Sequence, residues 1–254
     1  MRLPPSLTRT AGSSSIEVDE REKLELNASM YLVICPTELE IAPIRKDPEL
    51  LQDGDVELLV AGPGMVDSSI SLTRALCREP VPAGHRRIEG VILFGIGGAY
   101  LDSGADILDF CIASSENFGD FGIAAGNEVL YFDNPVMRRS SYDLRNRLFG
   151  QVKRILEGKG IPYKQGSFVT VNSCSGTARR GAFLRDRFDA ICENMEGAAL
   201  AQVTEEWSIP FVEVRCISNL VEDRDESKWK ISEAIGKGSS ILRDILLDLV
   251  KAGE

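Results

Sequence analysis

The stretch EGVILFGIGGA, residues 89–99, decides the fold class of this 254-residue chain. Its apolar run is continuous, whereas a strand with one face in water alternates apolar and polar residues. Continuous runs of this length are typical of strands that are covered on both faces, as in sheets with helices on either side. The glycines at its end allow tight packing, or the close approach of a ligand to the backbone.

Six similar segments accompany this stretch, and helical segments lie between them. The other predicted strands are YLVIC (31–35), VELLVAG (56–62), ILDFCIAS (107–114), GSFVTVN (166–172), FDAICENME (188–196) and FVEVRCIS (211–218). The predicted helices occupy residues 66–78, 141–160, 197–207 and 231–250, the last with a weak point at Gly236 and Gly238. This alternation predicts an α/β fold, a three-layer αβα sandwich around a central mixed, mainly parallel sheet. Ligands of such folds bind at the carboxyl ends of the strands.

The first 29 residues differ in character from the rest of the chain. They are polar, rich in serine and charge, and without a period, which predicts a disordered N-terminal extension. Alternatively they are an artefact of start-codon choice, because Met30 opens directly onto the first predicted strand. Residues 30–254 are then expected to form one domain. The extension lacks the apolar block of a signal peptide.

Net charge and hydropathy limit the classes of binding partner that we expect for this chain. The chain has 29 Lys and Arg against 39 Asp and Glu, a formal net charge of -10. A chain this acidic is a poor match for a phosphate backbone, so we expect no nucleic-acid partner, whereas a small neutral metabolite remains open. No apolar run approaches the roughly 20 residues that span a bilayer, so we expect no membrane partner.

Cysteine and histidine usage argues against metal and triad chemistry. The six cysteines are Cys35, Cys77, Cys111, Cys174, Cys192 and Cys216. None forms a CxxC pair and most lie in apolar runs, which indicates buried reduced thiols and a reducing, cytoplasmic location. The single histidine, His85, lies in a polar approach to a strand, so a zinc site and a Ser-His-Asp triad have little support.

Two glycine-containing stretches are candidates for a nucleotide-binding motif. They are AGPGMVD (61–67) and FGIGGAY (94–100). Neither is GxGxxG, because Asp67 and Tyr100 occupy the third glycine positions, and neither matches a Walker A motif. A Rossmann dinucleotide site is therefore weakly supported.

Polar residues follow three of the predicted strands. Glu38 and Glu40 follow the first, Glu196 ends the sixth, and Ser218 and Asn219 end the last. The strand-end rule predicts that these residues share a site.

Glu196 allows two interpretations. It precedes the helical segment GAALAQV, so it could be an N-terminal acid satisfied by backbone amides. Alternatively, its carboxylate accepts hydrogen bonds from the two hydroxyls of a vicinal diol, with Met195 packed against the sugar and small residues from Gly197 onward leaving room.

Glu40 is equally ambiguous. It could be a solvated charge on the next helix, since Glu38 and Glu40 cannot both face one way. As a functional group it would be a general base that activates a water, with a pKa raised by Glu38 or by burial.

Taken together, these segments resemble the nucleoside phosphorylase and nucleosidase superfamily, from Met30 to the C-terminus. NMEGAALAQV (194–203) with IPFVEVRCISN (209–219) is similar to the methylthioadenosine/adenosylhomocysteine nucleosidase signature. CPTELE (35–40) resembles that family's N-terminal glutamates, and AGPGMV (61–66) its Gly-x-Gly turn. The resemblance implies a homo-oligomeric enzyme without metal or cofactor.

The resemblance also implies roles for individual residues. The last glutamate of the N-terminal run activates water in the family and matches Glu40. The Met-Glu pair binds ribose and matches Met195 and Glu196. Cys174 and Ser175 align with residues that flank the purine.

Two departures from the family pattern narrow the reaction. Asn219 stands where adenine-specific nucleosidases have an acid that protonates purine N7. Asparagine cannot be that acid, but its N–H₂ can donate to O6 of a 6-oxopurine while its carbonyl accepts from N7–H. Leu93 and Ile96 stand where phosphorylases hold phosphate with Arg and Ser, which favours water as the nucleophile.

Within the superfamily, the segments resemble the futalosine hydrolase family of the alternative menaquinone pathway. The matching segments are ENFGDFGI (116–123), FGIGGAY (94–100), NMEGAA (194–199) and SNLVEDRDESKWKI (218–231). The resemblance implies hydrolysis of an inosine-like nucleoside with a benzoate-bearing 5′ chain, releasing hypoxanthine. Phe118 is expected to stack on the base or to be packing. The residues expected to shape the edge of the site, or to lie in a charged loop with a helix N-cap at Ser227, are Asp223, Arg224, Ser227 and Trp229.

Other functions remain open at this stage. They are a methylthioadenosine/adenosylhomocysteine nucleosidase, which Asn219 disfavours, a purine nucleoside phosphorylase, which Leu93 and Ile96 disfavour, and a nucleoside-binding protein without catalysis. Arg45, Arg138 and Arg139 are candidates for the benzoate only by their charge.

Overall fold

A computed structural model of the chain describes residues 29–77, 87–125, 128–132 and 139–252. The strands of this part are β1 (Ser29–Cys35), β2 (Val56–Val60), β3 (Arg87–Tyr100), β4 (Phe110–Phe118), β5 (Gly122–Ala125), β6 (Glu128–Tyr131), β7 (Ser141–Asp143), β8 (Lys164–Thr170), β9 (Ala190–Asn194) and β10 (Phe211–Val221). The α-helices are α1 (Glu38–Arg45), α2 (Pro48–Leu51), α3 (Met65–Leu76), α4 (Arg147–Gly158), α5 (Ala178–Phe188), α6 (Gly197–Glu206) and α7 (Ile231–Lys251). A short 3₁₀ helix spans Glu226–Lys228.

The main sheet is mixed and mainly parallel, as predicted. Parallel pairings join β2 to β1, β1 to β3, β3 to β10, β4 to β8, and β8 to β9. Antiparallel pairings join β10 to β4, β3 to β9, and β4 to the short strand β7. Strands β5 and β6 form a separate hairpin.

The prediction of a plain three-layer sandwich is wrong, because the sheet closes on itself. Strand β3 pairs with β10 and also with β9, which completes a ring in the order β3, β10, β4, β8, β9. Its 14 residues are long enough for β1 to take one end of the second edge and for β9 to take the other. Gly97 permits this approach, since a Cβ there would lie 2.6 Å from the Cys192 sulfur of β9. Strands β1 and β2 lie outside this barrel-like ring and extend the sheet from the edge of β3.

Helices cover both faces of the strands. One core cluster joins β1, β3 and β10 to α1, α4 and α7, and a second cluster joins the same strands to α3 and α6. Burial of this apolar surface is the main favourable contribution to folding. The predicted weak point in the last helix is not a break, because α7 is continuous through Gly236 and Gly238. Gly238 instead lets α7 pack tightly, since a Cβ there would lie 2.7 Å from the Phe94 ring.

Some predictions fall outside the described residues. The expected extension, residues 1–29, is described only at Ser29, the first residue of β1. His85 and Arg138 also lie outside the described ranges. Within those ranges, no helix is long and apolar enough to cross a membrane.

Candidate active site

A cavity of about 340 Å³ opens where β3, β9 and β10 end and where α1 begins. Glu40, Glu196 and Asn219 all line it, although they lie far apart in sequence. The closed ring of strands brings the three residues together. Because β3 pairs with both β9 and β10, the ends of these two strands lie beside the glycine-rich end of β3. The expected strand-end site is therefore present.

The Glu196 carboxylate is buried, with 3% of its surface exposed, and it has specific partners. Its Oε1 accepts from the Gly64 backbone N–H at 2.8 Å, and its Oε2 accepts from Arg215 Nη2 at 3.0 Å. The side chain does not cap α6, because Asn194 Oδ1 accepts from the first backbone N–H groups of that turn, those of Glu196 and Gly197. The geometry thus disfavours the interpretation as a helix-capping acid and leaves the carboxylate at the cavity.

Arg215 is the buried cation that compensates the site's carboxylates. It is 1% exposed and pairs with Glu196 and, through Nε at 2.8 Å, with Glu213 Oε1. Its Nη1 donates to the Ile96 carbonyl at 3.2 Å. Burial acts to lower the pKa of Arg215, but Glu213 and Glu196 hold it above its usual value. The guanidinium therefore stays charged.

Behind Arg215 lies a pair of fully buried carboxyls, Glu116 and Glu213. Burial raises the pKa of Glu116 well above its usual value, and the nearby charge of Glu213 raises it further. Burial also raises the pKa of Glu213, against the opposing charge of Arg215. Apart from Glu116, no described residue provides a hydrogen-bond partner for Glu213 Oε2. We conclude that Glu116 keeps its proton and donates it to Glu213, because two adjacent buried carboxyls do not both ionise.

Glu40 is buried at the start of α1 and is 5% exposed. It forms a capping box with Thr37, whose N–H and hydroxyl donate to Glu40 Oε2 at 3.0 and 2.6 Å. The Ile96 N–H donates to Oε1 at 3.0 Å. The alternative of a solvated charge is therefore wrong for Glu40, whereas Glu38 is exposed and pairs with Arg45.

Glu40 and Arg215 meet beside Gly95. A Cβ on Gly95 would lie 2.5 Å from Arg215 Nη1 and 2.9 Å from Glu40 Oε1. A side chain at this position would clash with both groups, so glycine lets the carboxylate and the guanidinium pack against the backbone of β3. A buried carboxylate that lines the cavity can take a proton from a water bound there.

Asn219 lies at the other end of the cavity, on β10. Its Oδ1 accepts from the Ser218 hydroxyl at 2.8 Å, and its Nδ2 donates to the Leu220 carbonyl at 3.1 Å. The Gly97 carbonyl, at 3.2 Å, is an alternative acceptor for the single Ser218 O–H, which donates to one of the two oxygens at a time. One N–H and one acceptor position of the amide remain for a ligand.

Met195, Cys174 and Ser175 also line the cavity, as expected from the resemblance. The Cys174 and Met195 sulfur atoms lie 3.3 Å apart. Burial raises the pKa of the Cys174 thiol, so it is a neutral contact surface. Arg224 and Trp229 line the rim, with the guanidinium 4.6 Å from the Trp229 ring centre.

Other expected residues lie elsewhere. Phe118 does not line this cavity, and its ring instead contacts Phe121 and Tyr142, so it is packing rather than a base platform. Arg45 pairs with Glu38 and Arg139 with Glu205, both outside the cavity lining.

Two charged residues of the cavity, Arg215 and Glu193, were not predicted from the sequence. Arg215 had a signal, because it and Glu213 are charges two residues apart in an otherwise apolar strand, and such charges need partners when buried. Glu193 lies two residues before the recognised Met-Glu pair but was counted as strand. Among the described residues, no group of three or more His, Cys, Asp or Glu side chains is arranged to hold a metal ion.

Known proteins with similar sequences carry hydrolase names. The chain is 27% identical over 226 residues to the futalosine hydrolase of Thermus thermophilus, covering 86% of this chain and 96% of that protein. It is 25% identical over 217 residues to the 5′-methylthioadenosine/S-adenosylhomocysteine nucleosidase of Staphylococcus carnosus, covering 85% and 90%. The predicted resemblance and the predicted enzyme class, an N-glycosyl hydrolase, are confirmed by these relatives.

Solved structures support the fold. The Helicobacter pylori 5′-methylthioadenosine/S-adenosylhomocysteine nucleosidase, complexed with a substituted pyrrolidin-3-ol, superposes with a TM-score of 0.73 at 18% identity over 87% of this chain and 99% of that one. A futalosine hydrolase mutant of the same species superposes with a TM-score of 0.72, also at 18% identity and with the same coverage.

A protein-family model also matches most of the chain. The Phosphorylase superfamily model matches residues 49–251, which include every main-sheet strand from β2 to β10. The chain belongs to the Phosphorylase superfamily.

Proposed function

We propose that this protein hydrolyses the N-glycosidic bond of futalosine, giving hypoxanthine and dehypoxanthinyl futalosine. The observation that carries the proposal is the convergence of Glu40, Glu196 and Asn219 on one cavity. These residues match the three tasks of the reaction, which are to activate water, to hold the ribose and to receive the base. The futalosine hydrolases of Thermus thermophilus and Streptomyces coelicolor support the choice of substrate, at 27% and 29% identity.

The reaction begins with a water beside Glu40. Glu40 Oε1 accepts one backbone N–H and has room for a second hydrogen bond, so it can take a proton from that water. The water oxygen bonds to C1′ as the bond from C1′ to the purine nitrogen breaks, through a transition state with oxocarbenium character. Glu196 accepts hydrogen bonds from the 2′- and 3′-hydroxyls, and its pairing with Arg215 fixes its orientation.

The departing base carries away the electron pair of the broken bond and takes a proton at N7 from solvent water in the cavity, while Glu40 returns the proton that it took from the attacking water to solvent. Asn219 then accepts from N7–H through its carbonyl and donates to O6 through its amide. Each of these contacts grows stronger as charge develops on the base, which lowers the barrier. An adenine lacks the O6 acceptor, so the amide favours 6-oxopurines.

The cavity favours water over phosphate as the nucleophile. Both arginines that line it are ion-paired, Arg215 with Glu196 and Arg224 with Glu226. Leu93 is buried in the core, and Ile96 offers only an apolar side chain. A phosphate dianion would therefore have to break existing pairs to be bound.

The test is turnover of futalosine, inosine and methylthioadenosine by the full chain, with and without phosphate, followed by chromatography of the free base. We expect hypoxanthine from futalosine without phosphate. Release of base from methylthioadenosine but not from futalosine would favour the alternative nucleosidase. A strict phosphate requirement would favour a phosphorylase, and binding without turnover a nucleoside-binding protein.

We also propose a homo-oligomer in the cytoplasm, acting in menaquinone biosynthesis. Four large apolar side chains of and around the β5–β6 hairpin are exposed: Phe121, Ile123, Leu130 and Phe132. A patch of this kind is typical of a protein–protein interface, and a second copy of the chain is the occupant that the family resemblance implies. The six cysteines, none of them in a disulfide, suit a reducing compartment. Sedimentation analysis measures the oligomeric state directly.

A further inference from the structure

Four of the five strands in the closed ring contribute one buried polar side chain each to a single hydrogen-bonded cluster. Its members are Glu116 of β4, Thr170 of β8, Asn194 of β9 and Glu213 of β10, and each is at most 5% exposed. Glu116 is hydrogen-bonded to each of the other three. The proposed reaction gives none of the four a step of its own. Buried polar groups that are all paired hold their surroundings in one arrangement.

Glu116 has all its hydrogen-bonding positions filled when it carries a proton on Oε1. That oxygen accepts from Asn194 Nδ2, and its proton is donated to the neighbouring carboxyl of Glu213. Oε2 accepts from the Asn117 N–H at 3.1 Å and from the Thr170 hydroxyl at 2.8 Å. A protonated carboxyl has one O–H to donate, and its other oxygen has two acceptor positions. No position is left for a ligand, so Glu116 acts only through its protein neighbours.

The first route from Glu116 to the ribose end runs through side chains. Glu116 donates to Glu213, whose Oε1 accepts from Arg215 Nε at 2.8 Å. Arg215 Nη2 then donates to Glu196 Oε2 at 3.0 Å. A carboxylate that is hydrogen-bonded at both oxygens has little freedom to turn. Glu213 therefore fixes the angle at which the planar guanidinium meets Glu196.

The second route runs through the backbone at the start of α6. Asn194, which donates to Glu116, accepts through Oδ1 from the N–H groups of Glu196 and the following residue, at 3.0 and 2.8 Å. Because both acceptor positions of that oxygen are taken, the Thr170 hydroxyl donates to Glu116 and not to Asn194. The Thr170 oxygen in turn accepts from the Ala198 N–H at 2.7 Å. Three successive backbone amides, beginning with that of Glu196, are thus tied to Glu116.

We propose that Glu116 is a positioning residue for the ribose carboxylate, holding the side chain of Glu196 by the first route and its backbone by the second. This rests on the proposed function, in which Glu196 accepts hydrogen bonds from the 2′- and 3′-hydroxyls. Both routes end at Glu196. The effect of losing Glu116 therefore falls on binding of the sugar and not on binding of the base.

The decisive measurement is the affinity that the sugar adds to the base. The probes are 9-deazainosine, whose sugar is joined to the base by a carbon–carbon bond that is not hydrolysed, and the free base 9-deazahypoxanthine. Calorimetry with the full chain gives both dissociation constants, and the ratio of the base's constant to the nucleoside's is the sugar contribution. We expect Glu116→Ala to lower this ratio by about ten- to hundredfold, as for loss of a buried hydrogen-bond partner, and to change base binding by no more than about threefold.

A conservative variant separates positioning from general loss of structure. In Glu116→Gln the amide still donates to Glu213 and accepts from Thr170, although it loses the contact with Asn194, so most of the sugar contribution should return. Glu205→Ala, which changes an exposed glutamate outside the cavity lining, is the matched control. Equal weakening of base and nucleoside in Glu116→Ala would overturn the proposal, because general damage to the cavity gives that result.

Thr170→Val covers the case in which Glu116→Ala does not fold. Valine has nearly the same shape as threonine but lacks the hydroxyl that joins Glu116 to the Ala198 N–H. The sugar contribution should therefore fall by about three- to tenfold while base binding stays the same. An unchanged sugar contribution in this variant would refute the proposal.

The positioning role and the proposed function can fail separately. If the sugar contribution depends on Glu116 but the chain does not cleave futalosine, the hydrolase assignment fails and the positioning role stands. If the chain cleaves futalosine and Glu116→Ala leaves the sugar contribution unchanged, the hydrolase assignment stands and the positioning role fails.

Discussion

The two ends of the cavity are built in different ways. At the ribose end, Glu196 and Arg215 form a buried ion pair, and Gly64 from a distant loop completes it. At the base end, Asn219 and Glu193 are held mainly by hydrogen bonds with uncharged partners, which are serine and tyrosine hydroxyls and backbone groups. On the proposed function, the ribose end is therefore tied to the stability of the fold and serves every nucleoside substrate, whereas the base end can change its preference at small structural cost.

The largest expected effect is at the ribose end. Glu196→Gln removes the charge that accepts both ribose hydroxyls, and loss of such a group typically lowers the rate by about two to four orders of magnitude. Because ribose is common to all nucleoside substrates, kcat/KM should fall by the same factor for futalosine and inosine. Steady-state kinetics of both, with Glu205→Gln as the exposed control, measures it. A loss confined to one nucleoside would contradict the contrast between the two ends.

The fold and the residues of the cavity also differ in how far they could be predicted from the sequence. Continuous apolar runs predicted seven strands, because a strand that is buried on both faces has few polar residues. Closure of the sheet was not predictable, since the β3–β9 pairing rests on two residues, Gly98 and Ala99. Phe118 was misplaced because an aromatic in a family motif does not say which way its ring points.

Strand-end logic found Glu196 and Asn219 because each follows an apolar run in the sequence, although Asn219 lies inside β10 in the structure. Glu193 and Arg215 lie within strands, where side chains alternate between faces and the sequence does not say which face is the site. Their roles depend on partners that only the fold brings together. Ser175 is 18 positions from Glu193, and Glu196 is 19 positions from Arg215.

The buried carboxyl pair behind the ribose end predicts a stability effect at Gly197. A Cβ there would overlap both Glu213 Oε2 and Glu116 Oε1. We expect Gly197→Ala to lower the free energy of unfolding by about 1–3 kcal/mol, the usual cost of overpacking.

Gly236 provides the matched control for that change. It lies within α7, and a Cβ there would meet nothing within 4 Å. Gly236→Ala should raise the free energy of unfolding by up to about 1 kcal/mol, because alanine is the better helix former. Urea denaturation of both variants gives the comparison, and equal effects in the two would show that the space around Gly197 is not restricted.

At the base end, Asn219→Asp should act on base preference rather than on stability. A carboxylate has no N–H to donate to O6, so we expect kcat/KM for futalosine and inosine to fall by roughly tenfold. Adenosine turnover should rise, because the new carboxyl can accept from the 6-amino group and can protonate N7. The ratio of inosine to adenosine turnover is the measured quantity. Unchanged futalosine turnover would remove Asn219 from base recognition.

A pH dependence of stability is also expected from Glu116. Burial, reinforced by the charge of Glu213, holds the pKa of Glu116 in the folded protein well above its ordinary value of 4.5. The folded state therefore binds a proton that the unfolded chain has released, so the free energy of unfolding falls as pH rises from about that value toward the folded pKa. Glu116→Gln replaces the carboxyl with an amide that stays neutral and can still donate to Glu213. Although the amide loses the contact with Asn194, that loss does not depend on pH. Urea denaturation between pH 5 and pH 8 should thus give a flatter pH dependence for Glu116→Gln than for the wild type, and parallel curves would mean that Glu116 is not the carboxyl that holds the buried proton.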